Sequence, residues 1–131
     1  MKAEPLPRPV LLYDGECRFC RFAARFVVRL DRQQELALLS LQDERAAPLL
    51  AALPASQRLA TWRLARPAGA LSGYGAGIRD LLETMQLARS ARRLLSRVPD
   101  SVLDVMYGVV ARNRGTLGRL VPDGPAPERY P

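Results

Sequence analysis

The chain has 131 residues, 48 % of them apolar and 25 % charged, the size and composition of one globular domain with its own core. Its formal charge is +7, and all but one of its 20 basic residues are arginine, dispersed along the chain without forming blocks; such a balance does not by itself assign a nucleic-acid or membrane partner. Histidine is absent, which excludes a Ser-His-Asp or Cys-His nucleophile pair, a His-ligated zinc and a His proton shuttle.

Residues 1–9 contain Pro5, Pro7 and Pro9 and read as an extended lead-in with no apolar core of a secretory signal. No apolar stretch approaches the ~20 residues of a membrane span, and a cytoplasmic location is the expectation. Val10–Tyr13 is a short buried strand, and Asp14-Gly15 a turn. A helix follows from about Cys17 to Leu30 or Asp31. Its apolar face is Phe19, Phe22, Ala23, Phe26, Val27 and Leu30, and Arg18, Arg21, Arg25, Arg29 and Arg32 gather on another. Leu36–Leu41 is a second buried strand, completing a β-α-β unit. Asp43 and Glu44 open a helix over Ala46–Leu53, which Pro54 ends. Leu59–Arg66 is a third strand, Pro67–Gly69 a turn and Ala70–Gly73 a short return strand.

A helix from Tyr74 or Ala76 to about Ala88 comes next, then a helical piece over Ala91–Arg97. The last helix starts at Pro99-Asp100-Ser101, carries apolar Val102, Met106, Val109 and Val110, and ends near Asn113–Gly115. Val121–Pro131 is a Pro-rich irregular tail. The division is thus a lead-in (1–9), a domain (10–120) and a tail (121–131). The order β-α-β-α-β-β-α with an additional C-terminal helix is an α/β arrangement that resembles a thioredoxin-like domain.

Cys17 and Cys20 are the only cysteines. Placed at random, two cysteines would fall three apart only about 1–2 % of the time. They sit at the first turn of a helix that leaves a strand. There the helix dipole and the free N–H groups favour a thiolate, and Arg18 and Arg21 add positive charge. Cys17 lies away from the apolar arc and Cys20 near its edge, so Cys17 is expected to be the more exposed, nucleophilic thiol and Cys20 the resolving one. Two other readings of the pair are a metal half-site, needing a dimer to supply four thiolates, and a pair of structural thiols.

The segment Tyr13-Asp14-Gly15-Glu16-Cys17-Arg18-Phe19-Cys20 resembles the D-G-x-C-x-x-C signature of the DCC family of thiol–disulfide oxidoreductases. Gly73-Tyr74-Gly75-Ala76 is similar to that family's G-Y-x-A segment. Pro99, Asp104, Tyr107, Ala111-Arg112-Asn113-Arg114 and Gly118 are similar to its C-terminal pattern. The resemblance, over roughly residues 9–120, implies a thioredoxin-like fold and disulfide exchange or reduction through Cys17 and Cys20, with no bound cofactor. The implied partners are a disulfide-containing protein or a small thiol such as glutathione, and a redox partner that donates electrons. No cysteine follows Cys20, so a third thiol takes no part.

Asp14 has two compatible readings: a turn or cap residue, or a carboxylate that moves a proton to or from Cys20. The first-helix arginines are either a solvated face or a positive approach to the disulfide, with Arg18, Phe19 and Arg21 meeting the substrate. Trp62 and Tyr74 are expected in the core or the site wall, and Tyr107 in the core. A second basic zone, Arg89, Arg92, Arg93, Arg97, Arg112, Arg114 and Arg119, lacks the interleaved aromatics of a nucleic-acid site. The alternative to an enzyme is a basic binding module for a protein or nucleic-acid partner, its thiols incidental or holding a metal.

Overall fold

A computed structural model describes residues 6–58, 61–67, 71–73, 81, 93–94 and 96–130. Four strands, β1 (Val10–Tyr13), β2 (Ala37–Ser40), β3 (Arg63–Ala65) and β4 (Leu71–Ser72), form one sheet in the order β2-β1-β3-β4. β1 runs parallel to β2, with Val10 opposite Ala37 and Tyr13 opposite Ser40, and antiparallel to β3, with Leu11 opposite Leu64. β4 returns antiparallel beside β3. With helix α1 (Arg18–Leu30) as the β1-to-β2 crossover, this is a thioredoxin-like α/β fold.

Side chains alternate along β1, so its all-apolar sequence feeds two cores. Val10 and Leu12 pack with Leu39, Leu41, Ala46, Leu50 and Ala65 on one face. Leu11 and Tyr13 pack with Ala24, Leu36, Leu38, Leu64 and Leu81 on the other, beneath Val27 and Val28 of α1.

Several expected elements differ in extent. The helix over Ala46–Leu53 is a 3₁₀ turn, Glu44–Ala46, running into one short helix, α2 (Ala47–Leu50). Pro54 caps a further 3₁₀ turn, Ala55–Gln57. The third strand shrinks to β3 because Thr61 and Trp62 are irregular. The helix expected to start at Tyr74 or Ala76, Leu59-Ala60 of the third strand and most of the Ala91–Arg97 piece lie outside the described residues, although Leu81, Arg93, Leu94 and Ser96 are helical. The last expected helix is α3 (Asp100–Arg112), closed by Asn113. Directly after it comes a helix the sequence reading missed, α4 (Arg114–Leu120), which packs across the start of α1. Gly118 makes that contact close: a Cβ there would lie 3.6 Å from the Phe19 nitrogen.

Two helix faces are rotated from expectation. On α1 the packed stripe is Cys20, Ala24, Val27 and Val28, while Phe26 is 53 % exposed, because Phe22 and Phe26 turn toward the tail and line a cavity with Pro122 and Pro125. On α3 the inward stripe is Leu103, Tyr107 and Ala111, with Val110 at its edge, and Arg114 at the start of α4 continues it. Val102, Val105, Met106 and Val109 face outward, Met106 at 57 % exposure. The inward stripe brings the polar ends of Tyr107 and Arg114 to partners, which a purely apolar periodicity does not anticipate.

The tail has no regular element after α4, yet it is tied down along its length. Arg18 donates to the Val121 carbonyl (2.8 and 3.2 Å), and Arg25 to those of Pro122 (2.9 Å) and Pro125 (3.1 Å). Arg21 donates to the Gly124 carbonyl and pairs with Asp123 at 2.8 Å. Gly124 is close under Arg25: a Cβ there would lie 2.8 Å from the guanidinium carbon. Further on, the Tyr13 hydroxyl donates to the Pro127 carbonyl, and Arg129 forms an antiparallel bridge with Leu38. These arginines bind the protein's own backbone and are not simply a solvated face.

Candidate active site

Tyr13 ends β1, and the chain must turn at once to start α1. Asp14 and Gly15 make that turn. The Asp14 carboxylate accepts the Glu16 N–H at 3.0 Å, and the Cys17 N–H reaches the Asp14 carbonyl at 3.4 Å. Glycine is required next to it by space: a Cβ on Gly15 would lie 2.5 Å from the Ser40 Oγ and 3.1 Å from its Cβ. Gln42, just beyond β2, locks the turn. Its carbonyl oxygen accepts from the Gly15 N–H (3.0 Å) and the Ser40 hydroxyl (2.6 Å), and its NH₂ donates to Asp14 (2.8 Å).

Cys17 is the N-cap of α1, and its sulfur accepts the Cys20 N–H at 3.3 Å. A sulfur takes the place usually held by a serine or aspartate oxygen, at the positive end of the helix dipole. Asp14 is therefore the turn residue and not the helix cap. Both cysteines are free thiols and half-buried. Burial, with the Cys17 sulfur as hydrogen-bond partner and neighbouring charge, pushes the Cys20 thiol up to about 12. Arg114 acts in the opposite sense, its Nη1 lying 3.9 Å from the Cys20 sulfur.

Donor atoms of Asp14, Cys17 and Cys20 lie within 4.8 Å of one another. Two sulfurs and a carboxylate in this space can exchange a disulfide with a proton acceptor at hand. The same three donors suit a soft cation such as zinc, with one position left open.

Beside Cys20 opens an apolar cleft of about 210 Å³ between α1, β1 and α3. Phe19, Ala23 and Val27 line it from α1, Trp62 from the loop before β3, and Tyr107, Val110 and Ala111 from α3. Tyr107 is thus a cleft-wall residue and only half-buried, its hydroxyl hydrogen-bonded to that of buried Thr61. Trp62 is in the wall as expected, and Tyr74 lies outside the described residues.

The structure brings Cys17, Cys20, Asp14 and Phe19 together. Arg18 and Arg21 are adjacent, but their guanidinium groups are engaged by the tail and by the Gly15 carbonyl (3.1 Å). Sequence reasoning missed the roles of Gln42 and Arg114. Arg114 had a signal, since it closes the Ala111-Arg112-Asn113-Arg114 segment, whereas Gln42 is a lone polar residue after a strand and had none.

The family model of DCC1-like thiol-disulfide oxidoreductases matches residues 11–120. A Bacillus subtilis (strain 168) protein described as uncharacterized protein YuxK is 29 % identical over 119 residues, spanning 87 % of this chain and 83 % of its own. No solved structure matches.

Proposed function

Since this chain belongs to the DCC1-like thiol-disulfide oxidoreductase family, we propose that Cys17 and Cys20 are its reactive dithiol, with Cys17 attacking first. The observation that carries this reading is the unequal setting of the two sulfurs. Cys17 sits at the helix N-terminus, where negative charge is favoured, and Cys20 sits in the cleft wall with its proton held by burial.

The Cys17 thiolate attacks one sulfur of a substrate disulfide, that S–S bond breaks, and a thiolate leaves. Cys20 then gives up its proton and attacks the Cys17 sulfur. The second substrate thiolate is released and the Cys17–Cys20 disulfide forms, so two electrons pass from the dithiol to the substrate. A thiol held near 12 needs help to ionise. Asp14 is the acceptor in reach for its proton, and the Arg114 guanidinium stabilises the thiolate that results. We assign Phe19, in the cleft wall, a substrate contact; Arg18 and Arg21 act by holding the tail beside the thiols.

The substrate is a disulfide on a protein or a small thiol such as glutathione, and a separate electron donor restores the dithiol. We place this exchange in a reducing compartment such as the cytoplasm. No helix among the described residues is long and apolar enough to cross a membrane.

The test is trapping. Cys20→Ser should accumulate a mixed disulfide through Cys17 when treated with an aromatic disulfide reagent, and Cys17→Ser should accumulate none. An adduct on Cys20 in the Cys17→Ser protein reverses the roles. Reduced wild-type protein that exchanges with no disulfide overturns the function.

The shared donor space of Asp14, Cys17 and Cys20 also favours a second reading, a binding module whose thiols hold a metal. Stoichiometric zinc in purified protein, with both thiols shielded from alkylation, would support it.

A further inference from the structure

The cleft beside Cys20 has a composition that points to a kind of substrate. Resting on the thiol-exchange reading above, we propose that it receives the aliphatic tail of a small disulfide, held there while the sulfur at the tail's end reacts with Cys17.

Size and chemistry both lead to this occupant. At about 210 Å³ the cleft is smaller than the roughly 300–1,000 Å³ of pockets that enclose drug-sized ligands, which suits one unbranched chain. Its wall is aromatic and aliphatic: Phe19, Ala23, Val27, Trp62 and Val110. The polar groups at its edge are already matched. The Tyr107 hydroxyl meets Thr61, Arg114 meets the Cys20 sulfur and the Ala111 carbonyl (3.2 Å), and Asp14 holds Gln42 and the Glu16 N–H. A polar tail would therefore lose its water without gaining equivalent partners. An aliphatic tail would leave water and pack against these apolar walls.

The charges around the thiols argue in the same direction. A glutathione-like substrate carries carboxylates, and the cations nearest Cys17 on α1 are Arg18 and Arg21. Both are engaged by Val121, Asp123 and Gly124 of the tail. The Asp123 pairing offsets the Arg21 charge and the tail carbonyls take up donors of both arginines, which weakens carboxylate binding beside Cys17, and apolar contact beside Cys20 remains.

The chemistry balances without another reactant in a single turnover. With an alkyl thionitrobenzoate disulfide, the Cys17 thiolate forms a bond to the alkyl sulfur and expels the coloured thionitrobenzoate. Cys20 then displaces the alkanethiolate, which takes up the proton Cys20 has lost, and the protein ends as the Cys17–Cys20 disulfide.

The experiment compares methyl, propyl, hexyl and glutathionyl thionitrobenzoate disulfides with pre-reduced full-length protein, reading the second-order rate of thionitrobenzoate release. The rate constant should rise roughly two- to fourfold per methylene that enters the cleft, with hexyl at least tenfold above methyl and above glutathionyl. In Ala23→Leu and Ala111→Leu, separately, the hexyl-to-methyl ratio should fall toward one as the cleft fills. A flat series in wild-type protein that reacts readily with all four overturns the proposal and leaves the exchange reading standing. A glutathionyl rate above hexyl overturns it as well. No reaction with any of the four overturns the exchange reading, and the proposal with it. The wild-type series decides the matter even if a leucine variant fails to fold.

Discussion

The Arg129 guanidinium lies 2.8 Å from the carboxylate of Asp31, whose side chain is fully buried. Asp31 also closes α1 and accepts the N–H groups of Glu35 and Leu36, both at 3.0 Å, as the chain turns into β2. Two residues 98 positions apart thus join the end of the first helix to the tail. Arg129→Ala should lower stability by roughly 2–4 kcal/mol, because among the described residues it leaves the buried carboxylate with two backbone donors and no ion-pair partner. Urea unfolding measures this, and Arg129→Lys should recover part of the loss.

Gly15 gives a test of packing at the active turn. Gly15→Ala should cost roughly 1–3 kcal/mol, since the new methyl group meets Ser40. The penalty should shrink in a Ser40→Gly background, which removes both colliding atoms. A double-mutant cycle on unfolding free energies reads the coupling; equal penalties in the two backgrounds would place the strain elsewhere.

Asp14→Asn separates architecture from proton transfer. Asparagine keeps the oxygen that accepts the Glu16 N–H, so stability should change by less than about 1 kcal/mol. Resolution of the mixed disulfide by Cys20 should slow roughly tenfold, while attack by Cys17 stays the same or quickens, because a nearby negative charge has gone. Rapid-quench trapping follows both steps. Unchanged resolution would leave Asp14 as a turn residue alone.

Arg114→Met should raise the Cys20 pKa further, since the guanidinium favours the thiolate and its loss favours the thiol. Resolution should then slow by roughly three- to tenfold at neutral pH, and the rate should keep climbing to higher pH than in the wild type. Attack by Cys17 should change less. Stopped-flow measurements of resolution against pH would show both effects. A profile that does not move would mean that the 3.9 Å contact has no part in ionising Cys20.

What the sequence made legible was what local chemistry dictates. Val10–Tyr13, Asp14-Gly15 and the Cys17–Cys20 helix start each carry their own signal: an apolar run, a turn pair and a spacing. The β-α-β unit and the return strand after the third strand were read from the element order. Less legible were features decided by partners far along the chain. Phe26 belongs to an apolar periodicity yet stands at the surface, because the packed stripe of α1 is set by the sheet beneath it. Val102, Val105 and Met106 are more apolar than Tyr107 and Arg114, but the latter face inward because Thr61 and Cys20 are there to receive them. The Pro-rich tail has no periodicity, and its attachment depends on carbonyl groups that any sequence possesses. Only the arginines opposite them are written in the sequence.

The Leu38–Arg129 bridge has a consequence for association. β2 is an outer strand of the sheet, and outer strands offer unpaired amides and carbonyls to which a foreign strand can add. Leu38 gives its N–H to the Arg129 carbonyl at 2.7 Å and accepts the Arg129 N–H at 3.0 Å, so the tail occupies that boundary midway along β2. Because the Arg129 side chain also meets Asp31, weakening that ion pair loosens the backbone guard on the strand as well. Variants at Arg129 should therefore self-associate sooner than equally destabilised variants elsewhere in the sheet.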